Sequence, residues 1–102
     1  DLPCMDDDDV RRGRPTVHRV YGVPIATAAG LAMVPLAARS AWHAARTLGL
    51  PDHEAAEIVR ELMAASGGGG MIGGQLLDLD AEGVHLTVDA LEWVHRLKTG
   101  AL

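Results

Sequence analysis

Asp1 to Thr16 read D-L-P-C-M-D-D-D-D-V-R-R-G-R-P-T, and this stretch decides how the rest of the 102-residue chain is to be understood. Asp6, Asp7, Asp8 and Asp9 stand side by side, and Arg11, Arg12 and Arg14 follow almost at once. Adjacent carboxylates repel one another unless something positive lies between them. Hard oxygen ligands of this kind suit Mg2+, which keeps several of its waters and joins a few carboxylates to substrate phosphates. The arginines suit phosphate oxygens, because a guanidinium donates two parallel hydrogen bonds. Acid, cation, phosphate and arginine together describe a place for a Mg2+-complexed diphosphate. Taken alone, the four aspartates would read as a solvated acidic run.

Outward from this stretch, composition limits the alternatives. A chain of 102 residues holds one domain at most. Its apolar content of 48% is mostly Ala, Leu and Val, glycine is abundant besides, and Tyr21, Trp42 and Trp93 are the only aromatics. That composition favours helices over a β-sandwich core, so the expected fold class is all-α. A formal net charge of −5 argues against nucleic-acid binding, which needs a basic face. Arg11 to Arg14 could reach nucleic-acid phosphates, but the adjacent aspartates would oppose a polyanion. Cys4 is the single cysteine, so no internal disulfide can form and a reducing, cytoplasmic location is expected. No signal peptide is expected, and a chain that starts inside a motif without Met reads as an internal fragment.

Further along, Val17 to Gly22 reads as loop, following Arg14-Pro15. Val20 to Ala38 carries no charge and is long enough for a bilayer. Its alanines and glycines, with Pro24 and Pro35, point instead to a buried bundle helix and no transmembrane span. Pro24 suits a first turn, whereas Pro35 should kink or split the helix, which resumes through Trp42 and His43 and stops near Gly49. Pro51-Asp52 begins another helix, with Ala55, Ile58, Val59, Leu62 and Met63 on one face and Glu54, Glu57, Arg60 and Glu61 on the other. It runs into Gly67 to Gly70 and then Gly73-Gly74, where each glycine costs about 1 kcal/mol relative to alanine, so a flexible linker is one reading. Asp78 to Glu82 reads as a hairpin between helices. Thr87 is an N-cap for the last helix, which carries Leu91, Val94, Leu97 and Lys98 along one side.

Three motifs, in order, carry a resemblance to a known family. D-L-P-x-M-D-D-D-D-x-R-R-G-x-P-T, from Asp1 to Thr16, resembles the first aspartate-rich motif of the trans-type isoprenyl diphosphate synthases, the polyprenyl synthetases that make farnesyl and geranylgeranyl diphosphate. G-x-x-G-G-Q-x-x-D, Gly70 to Asp78, resembles the family's next motif, which lies on a helix lining the cavity. His95 and Leu97-Lys98-Thr99-Gly100-Ala101-Leu102 are similar to its H-x-x-K-T-x-x-L segment. The resemblance implies part of an isoprenoid-synthase-type helical bundle, residues 1–102 being an internal piece of one prenyl synthase domain. It implies a head-to-tail condensation in which an allylic diphosphate ionises, isopentenyl diphosphate attacks the carbocation, and a proton is lost. Motif by motif, Asp6 would bind Mg2+ with Asp1 in support. Arg11, Lys98 and Thr99 would hold the allylic diphosphate, Arg12 the isopentenyl diphosphate, and Gln75 would help stabilise the reacting centre. One of Asp7 to Asp9 would cap a helix end or pair with Arg14. The full-length enzyme would be a homodimer.

The chain also departs from the pattern. The motif's first aspartate has no counterpart, the second aspartate-rich motif is expected beyond Leu102, and Gly30-Leu31-Ala32-Met33 stands where G-D-A-L is common. The 102 residues are therefore expected not to catalyse alone. Two other readings remain open. Leu31 points to a non-catalytic, regulatory homologue, against which Asp6, Arg11, Arg12, Gln75, Lys98 and Thr99 speak. Asp78, Asp80, Glu82, Gly83 and Asp89 approach the spacing of an EF-hand, a small Ca2+-binding helical module, although Asp89 is shorter than the usual Glu and His85 replaces an apolar residue.

Overall fold

Alanine, leucine and long polar side chains turn most of this chain into helix. The computed structural model describes residues 1–102, in two units, Asp1–Arg39 and Ser40–Leu102. A hairpin of β1 (Val10–Arg11) and β2 (Arg14–Pro15) precedes α1 (Val17–Tyr21), α2 (Val23–Thr47), α3 (Asp52–Ser66), α4 (Met71–Asp80) and α5 (Val88–His95). A π-helical segment, Arg96–Gly100, continues α5. The class is all-α, as composition predicts, with the tiny hairpin as its one exception.

In the first unit the hairpin follows from its turn. Arg12 (φ 51°) and Gly13 (φ 75°) both take positive φ, the pattern of the primed turns whose twist matches antiparallel strands. Pairing is Val10 with Pro15 and Arg11 with Arg14. Thr16 closes the base, its amide and hydroxyl both donating to the Asp9 carbonyl (3.0 and 3.2 Å). Residues 17–21 are helical rather than loop, because Thr16, extended at ψ 157°, starts a short turn of helix that Gly22 ends at φ 88°. Only Thr16 and His18 are buried in this unit.

α2 begins with Pro24 in its first turn, as expected, but Pro35 does not split it: all 25 residues are helical. A proline removes one backbone hydrogen bond at a cost of roughly 3 kcal/mol, and the turns on either side keep theirs. The expectation of burial fails too. Ile25, Leu31, Met33 and Leu36 are exposed, and Ala45 is the one buried residue of this helix. By length and composition alone α2 could cross a membrane.

In the second unit α2 stops where predicted. Gly49 takes φ 81°, its amide donates to the Arg46 carbonyl (3.0 Å), and the Leu50 amide donates to that of Ala45 (3.1 Å). This is a Schellman cap. The Arg46 guanidinium then donates to the Leu50 carbonyl (2.7 Å) and pairs with Asp52 (2.9 Å), joining the end of α2 to the start of α3. Ala55 is buried on the apolar face of α3, while Glu57 accepts two hydrogen bonds from Arg60 on the opposite, solvated face.

The glycine run is a tight connection into helix α4, not a linker. A Cβ on Gly70 would strike the Ala65 carbonyl, and one on Gly73 the Gly68 carbonyl. These glycines let backbone approach backbone, which outweighs their poor propensity. α4 continues to Asp80, so the hairpin expected at Asp78 to Glu82 is shifted, and the turn between helices begins at Ala81. With Asp78 and Asp80 inside a helix, no EF-hand loop exists. Thr87 caps α5 as predicted, its Oγ1 accepting from the Ala90 amide at 3.2 Å.

Candidate active site

Four neighbouring aspartates do three different things. The chain folds back at once after Leu2, whose carbonyl accepts from the amides of Met5 (2.8 Å) and Asp7 (3.1 Å). Asp7 sits at φ 49°, a left-handed conformation that aspartate tolerates better than most residues. This fold-back gathers Asp1, Asp6 and Asp8, one carboxylate oxygen from each lying within 4.8 Å of the others. Asp9 turns away to Arg19 (3.2 Å) and the buried His18 (3.8 Å), and so secures the base of the hairpin rather than pairing with Arg14.

Positive charge lies among these acids. Arg11 Nη1 is 3.6 Å from Asp1 and 3.8 Å from Asp8. Arg11 is brought there by β1, while Arg12 is exposed at the tip of the turn and Arg14 lies across from Arg11. Of the residues picked out from the sequence, Asp1, Asp6 and Arg11 are thus together, and Arg12 stands apart from them. Asp8 was not singled out as a ligand, although its place in the run was the available signal. Three accessible hard-oxygen donors at this spacing fit a divalent cation. A mostly apolar cavity of about 260 Å3 opens beside Asp1, walled by Leu2, Val17, Ala26, Ala29 and Met33.

In the second unit, Asp78 and Lys98 are paired, and Gln75 precedes Asp78 on α4. Gln75 is half-buried on α4, one turn before Asp78. Lys98 Nζ donates to Asp78 Oδ2 at 2.7 Å, with both side chains partly exposed. Thr99 follows on the exposed side of the π-helical segment. Lys98 comes this close to α4 because Gly74 is buried and bare: a Cβ there would lie 2.7 Å from Lys98 Cα and 2.8 Å from the Leu97 carbonyl carbon. Asp78 had a place in the sequence motif but no assigned work. Its distance along the chain from Lys98 hid the pairing.

Known proteins resemble this chain in sequence and in fold. The family model described as polyprenyl synthetase matches residues 1–102. The farnesyl diphosphate synthase of Escherichia coli is 52% identical over 102 residues, covering 100% of this chain and 34% of that protein. A chloroplastic geranylgeranyl pyrophosphate synthase of Catharanthus roseus is 40% identical over 103 residues, covering 100% of the chain and 28% of the relative. Among solved structures, an FPP/GFPP synthase from Zymomonas mobilis superposes with a TM-score of 0.88 at 38% identity, over 98% of this chain and 36% of that one. The chain spans about a third of the length of the curated relatives it matches.

Proposed function

The chain belongs to the polyprenyl synthetase family, and from that premise we propose that it is an internal piece of a Mg2+-dependent prenyltransferase. The parent enzyme condenses isopentenyl diphosphate with an allylic diphosphate to give a short-chain prenyl diphosphate of the farnesyl or geranylgeranyl kind. The observation that carries this reading is the grouping of Asp1, Asp6 and Asp8 around Arg11. The relatives are named for such products, in bacteria and a plastid.

Asp1, Asp6 and Asp8 would hold the metal, which when bound would neutralise charge on the departing diphosphate. Arg11 is already drawn to an anionic cluster and would grip allylic phosphate oxygens with its fork of donors. Arg12, projecting from the hairpin tip, would take the isopentenyl diphosphate. Lys98 and Thr99 would hold the allylic diphosphate, and Gln75 would stabilise the reacting centre, on the strength of their motifs. The apolar cavity beside Asp1 offers hydrocarbon a wall without polar demands. We place the enzyme in the cytoplasm as a homodimer, without nucleic-acid partners and without using α2 as a membrane span.

The test is steady-state kinetics on the full-length enzyme with Arg11→Ala. The allylic KM is expected to rise about tenfold or more, with the isopentenyl KM little changed, since a charge-assisted phosphate contact is lost. Unchanged allylic kinetics would remove the assignment.

A further inference from the structure

We propose that Gly74 and Asp78 form a seat that positions Lys98, fixing both the root and the tip of its side chain. This rests on the reading that Lys98 holds the allylic diphosphate. The two seat residues are four apart on α4 and so lie on one face, one turn above the other. Gly74 is buried, and its missing side chain lets the backbone of Lys98 lie directly on the helix. Asp78 receives the ammonium at 2.7 Å.

A lysine needs both constraints. Its flexible four-carbon stem has many rotamers, so an ammonium anchored only at its backbone would be spread over many positions. An ion pair at the tip orders it before any anion arrives, which makes binding less costly. The π-helical segment contributes as well. Its wide turn, closed by the Ala101 amide donating to the Arg96 carbonyl at 2.8 Å, spans the residues that lie against α4. π-turns inside helices recur where function demands a local departure from regular geometry. Gly74 and Asp78 are positioning residues here, since each acts through Lys98.

A double-mutant cycle on the full-length enzyme tests this, using Lys98→Met, the near-isosteric Asp78→Asn, and both together. Lys98→Met should lower kcat/KM for the allylic diphosphate, and Asp78→Asn alone should lower it about tenfold, with the isopentenyl KM within about twofold of wild type. In the Lys98→Met background, Asp78→Asn should then change kcat/KM by less than about twofold, because the group it positions is gone. A loss that multiplies in full instead shows that Asp78 is merely structural and overturns the seat. So does an Asp78→Asn enzyme with wild-type kinetics, provided Lys98→Met is impaired. If Lys98→Met itself leaves allylic kinetics untouched, the assigned role of Lys98 fails and the seat falls with it. Gly74→Ala supplies an independent arm: a folded variant with wild-type allylic kcat/KM would also overturn the proposal.

Discussion

Asp6 to Asp9 are one letter repeated, yet backbone geometry gives them separate work. Asp6 and Asp8 converge with Asp1, Asp7 turns the chain in a left-handed conformation, and Asp9 braces the hairpin against Arg19 and His18. The presence of an acidic site was legible from the run and its arginines. The motif points to Asp1 and Asp6. That Asp8 rather than Asp7 or Asp9 joins them was not legible, because it depends on two hydrogen bonds to the Leu2 carbonyl and one unusual φ, none visible in identical side chains. Asp8→Asn in the full-length enzyme should therefore raise the Mg2+ concentration needed for half-maximal activity by about tenfold, measured by metal titration of the rate. Asp9→Asn should leave that titration alone and lower stability by at most about 1 kcal/mol in a denaturant melt, since its partner Arg19 is largely exposed. If the two variants exchange phenotypes, the division of labour drawn here is wrong.

Among the elements, α4 shows where local rules and tertiary contact disagree. Propensity alone has Gly73→Ala stabilising the helix by about 1 kcal/mol. The added methyl would overlap the Gly68 carbonyl, so the expected sign is the reverse: a loss of stability, read as a lower urea midpoint of the full-length enzyme. The motif made a helix legible here, whereas the glycine count spoke for a linker. The deciding contacts lie between residues that propensity treats as independent. α3 was easier, its two faces being written in simple periodicity. On its solvated face, Arg60 holds the Glu57 carboxyl below its ordinary value, mainly through their side-chain hydrogen bonds. A depressed carboxylate stabilises the fold above its unfolded-state value and loses that contribution as pH falls through the folded one. Glu57→Gln should accordingly lower the melting midpoint slightly at neutral pH and not in acid. The difference should shrink in high salt, because the pair is fully exposed.

At the scale of the molecule, the helical class was plain from composition, and the burial of α2 was wrongly anticipated. An apolar sequence states a preference for cover, but not whether the chain in hand supplies it. Ala45, Ala55 and Val94 are the only buried apolar residues, while large side chains lie open along α2. Residues 1–102 in isolation should bind a hydrophobic dye strongly and lack a sharp cooperative melt, as expected when extended apolar faces stay in water. A dye-silent, cooperative 102-residue chain would contradict this. The turn at Arg96–Gly100 makes the gene tolerant of one kind of lesion. A π-turn holds one residue more than an α-turn, so an in-frame loss of a single codon within it could heal the backbone into plain α-helix. Positions beyond the turn would keep their place around the helix axis, because the turn had held the surplus residue, and only residues inside it, Lys98 among them, would be re-aimed. Such an allele would encode a well-folded protein whose Lys98 no longer meets Asp78. Deletion of the Arg96, Leu97 or Gly100 codon would find Lys98 re-aimed rather than the protein unfolded.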